Sequence, residues 1–385
     1  MNSREATIAL NMLPKIGPVR VQRLLAAFGS PEAILTAPIS NLIRVQGIGN
    51  ELAATIHGWE NTIDLTRELD EAKARNLTII TQEDAVYPDP LREIYDPPLA
   101  FYVWGELKES DKHAIAIVGS RKTSNYGRET AHQLSHHLAA SGQTIVSGMA
   151  RGIDTFAHQG AVAANGRTVA VIGSGLGQIY PPENMPLAEK IADGFGAVIS
   201  EFPIHMPPSK KTFPMRNRIV AGWSHSTIVV ECPKWSGSII TANLAIDMGK
   251  NLYAVPGPIN RPTSAGCNQL IRDGATLITS AHDVIEDLSS LPLGLFTPET
   301  PQKQKKSNSS PPDNTTPAPP TLQLSDTEST ILEHLTVEEL TLDQLSQLTS
   351  LSIPALMTNL LTLEVKRLIR QLPGARYTIR QPEII

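Results

Sequence analysis

Two short turns in the middle of the chain place small residues beside fixed positive charge. Gly119-Ser120-Arg121 and Ser147-Gly148-Met149-Ala150-Arg151-Gly152-Ile153-Asp154 each follow a run of small and β-branched apolar residues. A glycine lets the backbone approach a ligand closely, and an arginine presents a planar fork that matches phosphate oxygens in pairs. Two such turns at one sheet edge, with open backbone N–H groups, suit phosphate better than most ligands. A third segment, Lys210-Lys211-Thr212-Phe213-Pro214-Met215-Arg216-Asn217-Arg218, gathers four cations around one aromatic ring. Charge for phosphates and a π-face for a base are what a single strand of nucleic acid requires. The candidate binding residues are therefore Gly119, Ser120, Arg121, Ser147, Gly148, Lys210, Lys211, Phe213, Arg216, Asn217 and Arg218. Each segment also has a plainer reading: a tight turn between strand and helix with a solvated arginine, or a solvated loop anchored by Phe213.

Other chemistries find little support. Gly173-Ser174-Gly175-Leu176-Gly177 has the wrong spacing for a dinucleotide fingerprint, and Pro181-Pro182 forbid the immediate helix that a pyrophosphate site needs. There is no GxxxxGK[ST] and no HExxH or Cys/His cluster, so neither a nucleotide cofactor nor a metal is expected. Asp154, Glu201 and Glu231 fall near strand ends, where capping and pairing with arginine explain them as well as acid–base work does. His113, His132, His136, His137 and His158 stand at no recognisable spacing from a nucleophile and read as core or surface residues, so no catalytic residue is assigned.

The elements that must position these turns alternate. Strands are expected at His113–Gly119, Thr144–Ser147, Thr168–Gly173, Ala197–Glu201, Thr227–Glu231, Asn251–Val255 and Thr276–Thr279. Helices fit between them, at Asn125–Ala140 with Asn125 as its cap, at Thr155–Asn165 with Asp154 available to cap it, and at Ser238–Gly249. Near-continuous apolar strands such as VAVIG and TIVVE mark a parallel sheet covered on both faces, so the middle of the chain reads as a Rossmann-like doubly wound α/β domain. Ligands of such sheets bind beyond the carboxyl ends of the strands, where both turns lie.

Smaller modules flank this domain. Leu13–Phe28 and Ile43–Ile56 form a quasi-repeat of a glycine-containing hairpin and an amphipathic helix, like a tandem helix-hairpin-helix (SAM-like) module whose hairpin glycines can free N–H groups for DNA phosphate. Residues 297–321 carry seven prolines and no large apolar residue, which reads as a disordered linker. Beyond it, Ser325 and Glu328 form a capping box, and three helices with a β-hairpin turning at Gly374 match a winged helix, although its recognition helix Ser352–Leu363 has no Lys or Arg. The domains expected are 1–66, 67–290, a linker at 291–323, and 324–385.

Composition bounds the rest. With 41% hydrophobic and 5% aromatic residues the chain reads as globular, and no apolar run approaches the roughly 20 residues that span a bilayer. Only Cys232 and Cys267 occur, and the N-terminus lacks the pattern of a signal peptide, so a cytoplasmic protein without membrane association is expected. The net charge of −5 hides an asymmetry. Residues 112–283 hold 15 Lys and Arg against 10 Asp and Glu, whereas both flanking segments are acidic. The middle segment therefore carries a basic patch.

In fixed order, Gly119-Ser120-Arg121 with Tyr126-Gly127, SGxARGID from Ser147, FPxRNR from Phe213, SGSxxTAxxA from Ser236 and AVPG from Ala254 resemble the DNA-processing protein A family (DprA, also called Smf). The resemblance runs from about Tyr87-Pro88 to Asp283, with both flanking modules where some members carry them. It implies a cytosolic bacterial protein that binds single-stranded DNA without strong sequence preference, acts as a homodimer, protects incoming DNA during natural transformation and loads the RecA recombinase. The family's binding pocket falls on Gly119, Ser120 and Arg121, and on Lys210 or Lys211 with Phe213. Arg216, Asn217 and Arg218 match its signature, either touching DNA or bracing the pocket. The alternative from a related fold is a nucleotide-binding enzyme of phosphoribohydrolase type.

Overall fold

The computed structural model describes residues 1–290 and, between 326 and 379, the elements named below. The expected linker at 291–323 and the cap Ser325 lie outside the described residues. Met1–Glu299 and Thr300–Ile385 form two compact units.

The first unit is built on a nine-stranded sheet: β1 (Thr78–Thr81), β2 (Ala100–Gly105), β3 (Ala114–Val118), β4 (Thr144–Ser147), β5 (Thr168–Val171), β6 (Gly196–Ser200), β7 (Ser226–Val229), β8 (Asn251–Ala254) and β9 (Thr276–Leu277). Their order across the sheet is β1-β2-β6-β5-β4-β3-β7-β8-β9. The seven expected strands are all present and mutually parallel. Two further strands were not expected. β2 pairs antiparallel with β6 (Tyr102 opposite Ser200) and β1 antiparallel with β2, extending the sheet beyond its parallel core.

Alternation along β3 explains the layering. Ile115 and Ile117 pack on one face with Leu134, Leu138, Ile153 and Ala157 of the helices Asn125–Ala140 and Ile153–Ala163. Ala114, Ala116 and Val118 face the opposite layer with Val146, Val169, Ile219, Val220 and Trp223. All five β3 residues are buried, as a strand covered on both sides must be. From β3 the chain moves outward through β4, β5 and β6, then returns to place β7 on β3's other side. The switch point is thus at β3 and β7, where a doubly wound sheet opens a crevice at its carboxyl edge.

The helices Ser3–Met12, Pro18–Phe28 and Asn50–His57 belong to the same unit. Leu99 joins their core, while Ile8 and Ala72 pack with Tyr102 and Val198 of the sheet. Asn2 and Glu5 cap the first helix reciprocally, at 2.9 and 3.0 Å. In the hairpins the left-handed residues are Lys15 (φ 64°) and Gly47 (φ 87°), whereas Gly17 is extended and starts its helix. Arg20 donates to the carbonyls of Lys15 and Gly47 at 2.9 and 3.1 Å, Arg23 to that of Gln46 at 3.2 Å, and Lys15 pairs with Glu51 at 2.6 Å. These three cations are engaged with the module itself.

In the second unit the helices Asp326–Val337 and Leu342–Thr349 accompany a three-stranded sheet of β10 (Leu340–Thr341), β12 (Arg376–Ile379) and β11 (Ile369–Leu372), in that order. Ile331, Leu335, Leu345, Ile369 and Tyr377 share its core. β11 and β12 pair antiparallel as the expected hairpin requires, with β10 added at the edge of β12 as in a winged helix; the expected turn at Gly374 lies outside the described residues. The expected recognition helix at Ser352–Leu363 falls partly outside the described residues.

One core residue links this packing to pH. His158 is fully buried, and Thr168 Oγ1 donates its only proton to the Ile145 carbonyl, so the 2.7 Å contact from His158 Nδ1 must be an N–H donation. Burial, with Arg216 nearby, holds the imidazole's pKa down at about 3. The unfolded chain takes up that proton near pH 6.5 and the folded one does not, so stability is full above pH 6.5 and falls as the pH drops toward 3. The loss attributable to His158 between pH 7 and 5 is about 2 kcal/mol. Urea unfolding at the two pH values should show this difference shrink in His158→Gln; an unchanged pH dependence would contradict the assignment.

Candidate nucleic-acid interface

The two turns interlock. Gly119 leaves β3 so close to its neighbours that a Cβ there would lie 2.5 Å from Ile153 Cγ1 and 2.8 Å from the Glu231 carbonyl. Ser120 N donates to that carbonyl at 2.6 Å, and Ile153 N to the Ser120 carbonyl at 3.2 Å. Gly152 adopts φ +79°, and any side chain on it would strike the Ser120 carbonyl. The β3 and β4 turns are thereby held as one surface at the switch point.

This surface differs from the expected one in which groups it leaves open. Several N–H groups of the β3 turn are used internally: Lys122 N donates to Ser120 Oγ at 3.1 Å and Ser124 N to the Glu231 carboxylate at 2.9 Å, with Thr123 Oγ1 donating to the same carboxylate at 2.6 Å. Glu231 thus occupies the positive end of the helix Asn125–Ala140. Hydrogen bonds from Thr123 and Ser124 keep its carboxyl below the usual range despite burial. The helix is capped by Ser124, not Asn125, through a 3.1 Å bond from Gly127 N. Asp154 is the second residue of its helix and accepts from Ala150 N at 3.3 Å, ordering the loop behind it. Ser120 Oγ donates to the Lys122 carbonyl at 2.9 Å, and buried Ser147 Oγ to the Ile117 carbonyl at 2.6 Å; both hydroxyls hold backbone in place.

What remains exposed is side-chain charge. Arg121 lies with its guanidinium 4.9 Å from the centroid of Phe213. Phe213 is sandwiched: a Cβ on Gly173 would touch its ring at 2.8 Å, and Tyr180 flanks it at 5.9 Å between centroids. Lys210 and Lys211 are exposed just ahead of the helix Thr212–Trp223. The fold therefore brings Arg121 to Phe213 across a separation of over ninety residues in sequence.

The other two cations of the basic segment point inward. Arg216 is 3% exposed and donates from Nη1 to the carbonyls of Gly148 and Val171, while Nε donates to Asn217 Oδ1 at 3.1 Å. Burial brings its pKa down to about 10 against the opposing pull of Asp154, whose own carboxyl is pushed up by burial. A Cβ on Gly148 would meet the Arg216 guanidinium at 2.4 Å, so this glycine makes room for it. Arg218 departs furthest from its expected role. It is buried, paired with Glu201, 3.2 Å from Asp96 Oδ2, and bonded to the Asp96 carbonyl at 2.6 Å. Its charge is satisfied inside the protein, because a buried guanidinium without partners would be prohibitively costly.

Two cavities meet at Arg121. One, of about 420 Å³, is bounded by Gly119, Arg121, Gly148, Arg216 and Asn217. The other, of about 880 Å³, is walled by five cations: Arg121, Lys122, Arg128, Arg151 and Arg261. Arg151 is paired with Glu183 (Nη2 to Oε2, 3.0 Å). Among the described residues no ion pair involves Arg121, Lys122, Arg128, Arg261, Lys210 or Lys211. Lys122, Arg128 and Arg261 were not singled out in the sequence. Arg128 sits in the first turn of its helix, a position that helical geometry places at the same edge, whereas nothing local marks Arg261. In the GxGxG loop Gly173 backs the Phe213 ring, while the amides of the other two glycines are taken, since Gly175 N and Gly177 N donate to the carbonyls of Met206 and Ile204 at 2.8 and 2.9 Å.

Fold and site together define a Rossmann-like α/β protein with a basic edge at its switch point, flanked in sequence by a helix-hairpin-helix module and a winged helix. The chain belongs to the DNA recombination-mediator protein A family, whose model matches residues 78–289. A DprA winged-helix model matches 315–375 and a SAM-like helix-hairpin-helix tandem model matches 8–57. Protein Smf of Synechocystis is 34% identical over 98% of this chain and 100% of its own length. The X-ray structure of DNA processing protein A from Streptococcus pneumoniae superposes with a TM-score of 0.65 at 32% identity, covering 74% of this chain and 98% of that one. A Helicobacter pylori DNA processing protein A, described for its single-stranded DNA binding mode, superposes with a TM-score of 0.50 at 31% identity, covering 55% of this chain and 96% of that one. No helix among the described residues is long and apolar enough to cross a membrane.

Proposed function

We propose that this chain binds single-stranded DNA, with little regard to sequence, along the edge where Arg121, Lys210 and Lys211 stand. In this reading Arg121 and the two lysines hold phosphates, Lys122, Arg128 and Arg261 extend the track, and Gly119, Ser120, Ser147 and Gly148 shape the surface. Asn217 lines it, while Arg216 and Arg218 brace it from behind. The observation that carries the proposal is the cluster of exposed cations without carboxylate partners around Arg121 and Phe213. Charges left together despite their mutual repulsion are compensated by an anion from outside, and a polymer of phosphates supplies several at once. The H. pylori relative, named for its single-stranded DNA binding mode, supports the same ligand.

We extend the proposal along the family resemblance to a cytoplasmic homodimer that protects incoming DNA and loads RecA recombinase during natural transformation. Two copies would join two modest sites into one avid binder. The test of the binding function is a gel shift with oligo-dT and a duplex of equal length at low salt. Retardation of oligo-dT at lower protein concentration than the duplex is expected. No retardation of oligo-dT would refute the proposal, and turnover of a nucleoside monophosphate by the same preparation would favour the enzyme reading.

A further inference from the structure

Phe213 presents no open face to a base in this arrangement. One side of its ring rests against Gly173, and the Arg121 guanidinium covers the ring from outside. The ring lies under the Arg121 guanidinium, a contact that restricts where the arginine points. A single-strand site still needs an exposed π-face, because stacking is what secures bases of any identity.

Such a face stands at the rim of the same cavity. Trp235 lines the 420 Å³ cavity together with Arg121, Asn217 and Ser236, and it is 90% exposed. Of the chain's four tryptophans, Trp223 is fully buried and Trp59 and Trp104 are partly buried, so Trp235 alone is open to solvent. Its loop is anchored on both sides. Cys232 O accepts from Gly266 N at 2.9 Å, and Ser236 Oγ accepts from Ser238 N at 3.3 Å where the helix Gly237–Asp247 begins. Lys234 lies beside the indole, with Nζ 6.0 Å from the ring. An aromatic plane flanked by a cation, on a fixed loop at the mouth of a polar cavity, has the composition of a nucleotide subsite.

Resting on the single-strand reading of this edge, we infer that Trp235 is its base platform: a nucleobase of the bound strand stacks on the indole while Arg121, held by Phe213, takes a neighbouring phosphate. The subsite accepts any base, since every base has a π-face.

The test compares wild type, Trp235→Ala and Trp235→Phe by fluorescence anisotropy on labelled oligo-dT and on an abasic backbone of equal length. Loss of the indole should weaken oligo-dT binding about tenfold, the worth of one stacked base. Phenylalanine should hold affinity within about threefold, and the abasic strand should bind wild type and Trp235→Ala equally. The slope of affinity against salt should not move, because no charge has changed. In wild type, oligo-dT should quench intrinsic tryptophan fluorescence and the abasic strand should not. This second measurement requires no variant to fold. Equal affinity of wild type and Trp235→Ala for oligo-dT, equal losses on both strands, or no quenching on saturation would each overturn the base platform while leaving the strand site standing. Failure of wild type to bind oligo-dT at all would instead overturn the strand site, and the platform with it.

Discussion

Arg121→Ala should weaken binding of oligo-dT by about ten- to a hundredfold, the worth of one charge-assisted contact to phosphate. The loss should be the same for mixed sequences, since a guanidinium facing the backbone reads no base. Arg121 is where the effect should be largest: like Lys122 it borders both cavities and takes part in no ion pair among the described residues, but it alone of the two presents a planar fork, set over the Phe213 ring. Its ring contact with Phe213 fixes its direction, so little ordering entropy remains to be lost on binding. The same position makes it dispensable for folding: removing an exposed guanidinium gives up a cation–π contact worth about 0.5–1 kcal/mol. Arg121→Lys, which keeps the charge and loses the planar fork, should fall between wild type and alanine. Equilibrium titration at low salt reads these values. A change of less than about twofold in Arg121→Ala would remove Arg121 from the site.

Arg218→Ala should act in the opposite way, on stability and not on the DNA contact itself. It strips the partner from Glu201, which is buried at the end of β6 and whose carboxyl burial already pushes upward. Breaking a buried pair from one side typically costs about 3–5 kcal/mol, because the remaining charge is left uncompensated. Urea unfolding should show a loss of this size, and Glu201→Gln in the same background should recover part of it by removing the stranded charge. Binding to oligo-dT, measured where the variant remains folded, should stay within about threefold of wild type, since no phosphate contact is lost. A stability change below about 1 kcal/mol with a large loss of DNA affinity would show that Arg218 faces the ligand after all.

The contrast between these two arginines marks what can and cannot be read from the chain. Apolar runs bounded by glycine and polar residues gave β3 to β9 directly, and the positions of Gly119 and Gly148 just past β3 and β4 put them on one edge. β2 escaped because Ala-Phe-Tyr-Val-Trp follows a Pro-Pro turn and meets β6 only through a pairing made almost a hundred residues later. The direction of a long cationic side chain is not local information. Arg216 turns inward because Gly148 leaves space for it and two carbonyls await it; Arg218 does so because Glu201 and Asp96 converge there. Of the four cations gathered around Phe213 in the sequence, the fold keeps Arg216 and Arg218 inside, which is the bracing alternative, and leaves Lys210 and Lys211 exposed. In exchange the fold brings in Lys122 and Arg128, from the same turn and helix start as Arg121, and Arg261 from a loop far along the chain. Of the β3-turn amides expected to be open, Ser120 N and Ser124 N are taken by Glu231 and Lys122 N by Ser120 Oγ, so what the edge offers an anion is chiefly side-chain charge.

That last distinction can be measured. Affinity for a single strand held by side-chain cations falls linearly with salt on logarithmic axes, by about 0.7 in slope for each phosphate neutralised. The decisive measurement is this slope on oligo-dT for wild type and for the Arg121→Ala/Lys210→Ala double variant. A steep wild-type line, with the variant shallower by about 1.4, is the expected result. Two parallel lines of equal slope would place the phosphates elsewhere on the molecule and contradict the assignment of this edge.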